Sequence, residues 1–171
     1  AGAGELPIML YNNPVTTGLH MDVDMLVGFA RDIPNVQYVK DSSRDWEQAL
    51  RLIHYHRDEI KLIMGWDSFS FSALLEGATG VMAGAANLVP HELAAVQQAL
   101  EAGDVERARV AWERVFPVVD TLVDLPFSQA VKVGLRLRGF PIGGPRPPLK
   151  ELTADQEARL AAVLAELDRQ A

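Results

Sequence analysis

The sequence predicts an α/β fold in which four strand–helix units are followed by a purely helical carboxy-terminal subdomain. Three observations carry this prediction. Short apolar runs beginning at Ile8, Val36, Ile60 and Thr79 each lead into a stretch with helical spacing, and the connections are short, as in a parallel βαβ sheet. From Asp104 onward only helical spacing is found. The 171 residues, 49% apolar and 23% charged, suffice to bury a core. The division expected is 1–103 for the βα units and 104–171 for the helical subdomain. Read as an open sheet the four units could stand alone; read as half of an eight-unit barrel they would leave bare parallel edges on the first and last strands.

In order, Ile8 to Tyr11 reads as a strand, Pro14 to Gly18 as a turn, and Asp22 to Ile33 as a helix with Met25, Leu26 and Phe29 on one face. Pro34-Asn35 breaks it. Val36 to Val39 is the second strand, and Ser43 is expected to cap a helix with an apolar stripe of Trp46, Leu50, Ile53 and His54. Ile60 to Met64 precedes a helix over Ser68 to Glu76. Thr79 to Ala83 is the fourth strand, and Pro90 opens a helix carrying Leu93, Val96, Gln97 and Leu100. Two helices follow, Val105 to Val123 with Trp112, Val115, Phe116 and Val119 around Pro117, and Phe127 to Leu137. After a Gly/Pro-rich linker over Gly139 to Pro148, Thr153 with Gln156 forms a capping pair for a last helix striped by Leu160, Val163, Leu164 and Leu167.

Composition removes several function classes. A net charge of -7 without a dense Lys/Arg block argues against nucleic acid and against an anionic membrane as partners. Without cysteine there is neither a disulfide framework nor thiolate chemistry, and a cytoplasmic setting is expected. No apolar run approaches a membrane span. The opening Ala1-Gly2-Ala3-Gly4-Glu5 is not a signal peptide and lacks an initiator methionine, so a processed or incomplete chain is expected. No Gly-x-Gly-x-x-Gly follows a strand, and no Gly-x-Ser-x-Gly elbow is present. His54 and His56 stand two apart and share no helix face, while His20 and His91 are distant, so no metal site is expected.

Chemistry concentrates at two strand ends. Val36-Gln37-Tyr38-Val39 runs into Lys40-Asp41-Ser42-Ser43, and Ile8-Met9-Leu10 runs into Tyr11-Asn12-Asn13-Pro14. A strand covered on both faces has no solvent for an ammonium group, so a lysine there is either snorkelling to water or functional. Tyr11 alone would read as an interior aromatic with a satisfied hydroxyl. A lysine amine attacks a 2-oxo acid only as the free base, which requires its pKa to fall, and burial in an apolar barrel mouth would lower it. The protonated imine is an electron sink, and a neighbouring tyrosine can carry the proton.

The chain resembles the pyruvate-dependent Schiff-base aldolases and lyases that include dihydrodipicolinate synthase and N-acetylneuraminate lyase. The resemblance rests on Tyr11-Asn12-x-Pro14 with Gly18, Val39-Lys40-Asp41, Gly65-x-Asp67, Gly77-x-x-Gly80 with Asn87 and Pro90, and the Lys132 to Leu135 helix leading to Gly139, Arg146 and Pro148-Leu149. It implies the fifth to eighth strands of a TIM-type (β/α)8 barrel with the family's helical tail, the first four βα units lying elsewhere. It also implies a small 2-oxo acid as substrate, Lys40 as the imine-forming residue, Tyr11 as the proton carrier, no cofactor, and a homotetramer or homodimer. A non-catalytic regulatory or scaffold barrel is the alternative of a different class, to be told apart by whether the Lys40 amine points into the barrel mouth beside Tyr11 or outward into water.

Further site residues are expected. Gly80, Met82, Ala83 and Gly84 would present backbone N–H groups to a substrate carboxylate; Ala83 stands where the resembled synthases often carry serine. Asn12 and Pro14 would fix the tyrosine loop, Asn87 would tie its own loop, Trp66 would shape the pocket, and Asp41 would brace rather than react. The synthases resemble Tyr-Asn-x-Pro-x-Arg-Thr-Gly at the tyrosine loop, whereas this chain has Thr16 at the arginine position. A hydroxyl replaces neither the charge nor the fork of a guanidinium. The expected function is therefore an aldolase or dehydratase acting on a 2-oxo-3-deoxy sugar acid or related hydroxylated 2-oxo acid, with Thr16 in contact with substrate and dihydrodipicolinate synthase as the alternative.

Overall fold

The structure, a computed structural model, describes residues 4–170; Ala1, Gly2 and Ala3 of the opening segment, and Ala171, lie outside the described residues. One parallel sheet runs in the order β1 (Ile8–Asn12), β2 (Val36–Asp41), β3 (Lys61–Met64), β4 (Gly80–Val81). Between and after these strands come α1 (Pro14–Thr17), α2 (Val23–Asp32), α3 (Trp46–Tyr55), α4 (Ser70–Glu76) and α5 (Pro90–Glu101). Short 3-10 turns at Asp67–Phe69 and Gly84–Asn87 lead into α4 and α5. Then follow α6 (Val105–Asp124), α7 (Phe127–Leu137) and α8 (Ala154–Arg169). Four parallel βα units followed by a block of helices are a partial TIM-type barrel with a helical subdomain. Packing divides the chain after Ala83, so α5 is grouped with the helices that follow it.

In the first unit, one sheet face is buried. Val36, Val39, Leu62 and Met64 pack with Leu26 and Val27 of α2 and with Ala49, Leu52 and Ile53 of α3. Full burial of a Leu or Val side chain stabilises the fold by about 1.5–3 kcal/mol, so these contacts hold the helices to that face. A register irregularity opposite Gln37 pairs Ile8 with Val36 but Met9 with Tyr38. It allows Val36 and Val39, three residues apart, both to be buried. From there the alternation is regular, and Tyr11, Lys40, Ile63 and Gly80 form one level across the sheet.

Several local expectations shift. The strand β2 extends through Lys40 and Asp41 instead of ending at Val39, because Asn12 pairs with Asp41 and continues the ladder. The cap of α3 is Asp45, whose side chain accepts from the Gln48 N–H at 2.9 Å; Ser43 is engaged instead with Asp41 and with the Asp45 N–H. The buried face of α3 is Gln48, Ala49, Leu52 and Ile53, while His54 is exposed and pairs with Glu76 at 3.0 Å. On α2, Leu26 and Val27 are buried but Met25 and Phe29 are substantially exposed. The strand β4 is only two residues long.

The second unit is a helical block. α6 packs against α5 and α8, and α7 against α8. Val115, Val118, Val119 and Leu122 line the buried side of α6, with Phe116 partly exposed. α6 runs unbroken across Pro117. Thr153 caps α8 with the reciprocal Gln156 bond expected from the sequence. Among the described residues no helix is long and apolar enough to cross a membrane.

Candidate active site

The site begins with the level shared by Tyr11 and Lys40, on the sheet face opposite α2 and α3. Met9, Tyr11, Tyr38, Lys40, Lys61 and Ile63 alternate onto this face. Met9, Tyr11 and Lys61 are exposed and Tyr38, Lys40 and Ile63 half-buried, in contrast to the buried Val39, Leu62 and Met64. The Lys40 Nζ lies 4.3 Å from the centre of the Tyr11 ring, and one level away the Lys61 Nζ lies 5.6 Å from that of Tyr38. The amine and phenol that sequence reasoning paired are thus adjacent.

Room for the lysine comes from Gly65, immediately after β3. A Cβ there would stand 2.9 Å from the Lys40 Cε and 3.0 Å from the Asp41 carbonyl oxygen, and would strike the Ser42 hydroxyl. That carbonyl already accepts the Gly65 N–H at 2.8 Å. Any side chain at 65 would have to displace both the sheet edge and the lysine.

The tyrosine is fixed from its own loop. The Asn13 amide donates to the Tyr11 hydroxyl at 3.2 Å and to the Thr16 hydroxyl at 3.0 Å. One amide group with two hydrogens therefore ties Thr16 to the phenol. Asn12 is buried, exchanges bonds with the Met21 backbone at 3.0 and 3.1 Å, and donates to the Asp41 carboxylate at 3.1 Å. Gly18, left-handed at φ 71, closes the one-turn α1. Thr16 itself is exposed.

Asp41 is a brace. It is 2% exposed and accepts from Asn12, from the Ser43 N–H and hydroxyl, and from Gln48. Burial raises its carboxyl above the ordinary carboxylate range, partly offset by the donors from Ser43, Gln48 and Asn12. Burial also acts to raise the Tyr11 phenol. It is outweighed by Ser42, by the Lys40 charge and by the Lys40 and Asn13 donors, so the phenol is held below the usual tyrosine value.

The remaining expected residues are placed as follows. Gly80 is buried in β4, where a Cβ would stand 3.6 Å from Ile63. Met82 is exposed, and its N–H donates to the Met64 carbonyl at 2.8 Å, so that donor is already used by the backbone. Ala83 is half-buried. Trp66 is half-buried, with the Arg44 guanidinium 3.8 Å above its ring. Gly84 belongs to the second unit, where the Phe127 ring fills the space a side chain would need. Asn87, also there, donates to the Gly84 carbonyl at 2.9 Å and ties its loop.

Four neighbours escaped sequence reasoning as site residues: Asn13, Ser42, Arg44 and Gly65. Arg44 is the one non-glycine residue with positive φ among those described, at 67°. Its strained conformation leaves no mark in composition. A surface groove of about 380 Å³ lined by His20, Asp22, Asp45, Arg51 and His56, among others, contains neither Lys40 nor Tyr11.

The sequence model of the dihydrodipicolinate synthetase family matches residues 1–167. A 4-hydroxy-tetrahydrodipicolinate synthase of Oceanobacillus iheyensis is 34% identical over 168 residues, covering 98% of this chain and 57% of its own length. One from Nostoc is 34% identical over 164 residues, covering 96% and 55%. The crystal structure of dihydrodipicolinate synthase from Thermotoga maritima superposes with a TM-score of 0.90 at 25% identity, covering 96% of this chain and 57% of that one. That from Cyanidioschyzon merolae gives 0.89 at 28%, covering 95% and 55%. The chain thus spans little more than half the length of the relatives it matches.

Proposed function

The chain belongs to the dihydrodipicolinate synthetase family, and from that premise we propose that it carries the imine-forming half of a class I lyase that takes pyruvate or a longer 2-oxo acid on Lys40. The single observation that supports this best is the Lys40 amine lying over the Tyr11 ring, beside a glycine that no side chain could replace without moving the lysine. In the reaction proposed, the free amine of Lys40 attacks the C2 carbonyl, and Tyr11 gives a proton to the carbinolamine oxygen as water departs. The protonated imine then draws electrons from the adjacent carbon. That carbon can be deprotonated, or the bond one carbon further out can break, leaving an enamine. No metal or organic cofactor enters this sequence.

The names of the relatives favour the synthase reaction, condensation of the pyruvate enamine with aspartate semialdehyde, over the cleavage of a sugar acid. A specific observation keeps the second reading. The position at which the resembled synthases carry arginine holds Thr16, whose hydroxyl is tied through Asn13 to the Tyr11 phenol. It would suit a hydroxylated 2-oxo acid undergoing aldol cleavage or dehydration. A guanidinium–carboxylate contact is worth a few kcal/mol, on the order of a hundredfold in discrimination. A panel comparing kcat/KM for pyruvate plus aspartate semialdehyde with that for 2-oxo-3-deoxy acids, in the wild type and in Thr16→Arg, separates the readings. Condensation far above any sugar-acid turnover establishes the synthase; the reverse, with condensation raised by Thr16→Arg, establishes the lyase of hydroxylated acids.

Assembly is part of the proposal. β1 and β4 each have one strand neighbour among the described residues, and the face bearing Lys40 is uncovered there. A working site would therefore include four more βα units, in a homotetramer or homodimer of complete barrels.

A further inference from the structure

Ser42 is 5% exposed, and its hydroxyl has no aligned hydrogen-bond partner among the described residues. A buried hydroxyl left in this state is costly and calls for an explanation. Its neighbour Ser43 shows the contrast, donating to Asp41 and accepting from the Asp45 N–H. The backbone of Ser42 is fixed by its own N–H donating to the Asn12 carbonyl at 2.8 Å. Ser42 and Lys40 lie two residues apart, and the Ser42 hydroxyl and the Lys40 Cε crowd the same point above Gly65. Lys40 in turn lies over the Tyr11 ring, and the Ser42 hydroxyl acts to hold the Tyr11 phenol below its usual value although no aligned bond joins the two.

We propose that Ser42 is a positioning residue of the Lys40–Tyr11 site, its hydroxyl donating to the Tyr11 oxygen as that phenol gives up its proton. The inference rests on the imine reading above. In the step concerned, the Tyr11 O–H bond breaks and its proton joins the carbinolamine oxygen. The C2–O bond then cleaves, water leaves, and the nitrogen lone pair completes the protonated imine. A phenolate remains on Tyr11. The Asn13 amide supplies one donor to it in place. Ser42 supplies a second by a rotation of its hydroxyl, without movement of the backbone. Among the first unit's described strand residues the titratable amines on Tyr11's face of the sheet are Lys40, over its ring, and Lys61, one level away beside Tyr38; Asp41 alternates to the opposite face, and Ile63 brings no charge.

The test uses the complete protein with Ser42→Ala and the hydroxyl-retaining Ser42→Thr. Two readouts are taken: the pH dependence of borohydride-trapped imine formation with pyruvate, and the near-ultraviolet titration of Tyr11, isolated by subtracting Tyr11→Phe. The expected result is a Tyr11 titration moved upward by about one pH unit in Ser42→Ala, with imine formation about tenfold or more slower and both restored in Ser42→Thr. A titration and a pH profile unchanged in Ser42→Ala overturn the inference while leaving the imine reading intact. If the wild type traps no imine, the imine reading fails, and the positioning role in imine formation fails with it whatever the titration shows. If Ser42→Ala does not fold, a Ser42→Thr protein whose titration and trapping match the wild type supports the inference, and one that loses both despite its hydroxyl overturns it.

Discussion

Replacing Gly65 with alanine tests the geometry at its tightest point. The new Cβ would sit 2.9 Å from the Lys40 Cε and 3.0 Å from the Asp41 carbonyl oxygen. The lysine can swing away, but the carbonyl cannot easily move, because it holds the Gly65 N–H in the extension of the β2–β3 ladder. Overpacking of this kind costs about 1–3 kcal/mol. The displaced lysine should also react poorly, since a misplacement of about 1 Å typically costs on the order of a hundredfold in rate. Urea unfolding and the rate of pyruvate trapping by borohydride, both on the complete protein, read the two effects. Gly28→Ala is the control: this glycine lies inside α2 with nothing within 4 Å of the added methyl. It should stabilise by about 0.5–1 kcal/mol and leave trapping unchanged. A Gly65→Ala protein with wild-type stability and trapping would refute the claim that this glycine makes room for the lysine.

Substitutions at two further positions probe the end of β2 and the loop after it. Asp41→Asn replaces an acceptor of four bonds by a group with one oxygen, and should cost about 1–3 kcal/mol in urea unfolding. Because the Asp41 carboxyl is raised in the folded state, the folded protein holds its proton longer than the unfolded chain does. Its contribution to stability therefore falls as pH rises from the ordinary carboxylate value through the raised one, and Asp41→Asn should lack that slope. Arg44→Gly should relieve about 1–2 kcal/mol of left-handed strain while losing about 0.5–1 kcal/mol of stacking on Trp66, whereas Arg44→Ala loses the stacking and keeps the strain. In unfolding experiments the glycine variant should therefore be the more stable of the two; equal stabilities would contradict the strain.

Much of the fold was legible because hydrophobic periodicity survives tertiary packing. The four strands and the helices α2 to α8 are where their apolar spacing places them, and the Thr153–Gln156 cap of α8 forms as its sequence states. Misplaced details share a cause: local signals compete. Ser43 and Asp45 are both good caps, and Asp41, invisible to propensity, recruits the serine. His54 has the spacing of a buried position but finds Glu76 at the surface. At the site, the Lys40–Tyr11 pair was legible because both close apolar strands, and parallel register then sets them side by side. Gly65 and Ser42 were not, because their roles depend on atoms from a neighbouring strand.

The central claim is that Lys40 forms the imine, and its most direct measurement is reduction with borohydride in the presence of pyruvate, followed by peptide mass mapping of the complete protein. The account predicts a single pyruvate-derived adduct on Lys40 that disappears in Lys40→Ala together with turnover. A protein that turns over substrate yet carries no adduct at Lys40, or carries it on another lysine, would contradict it.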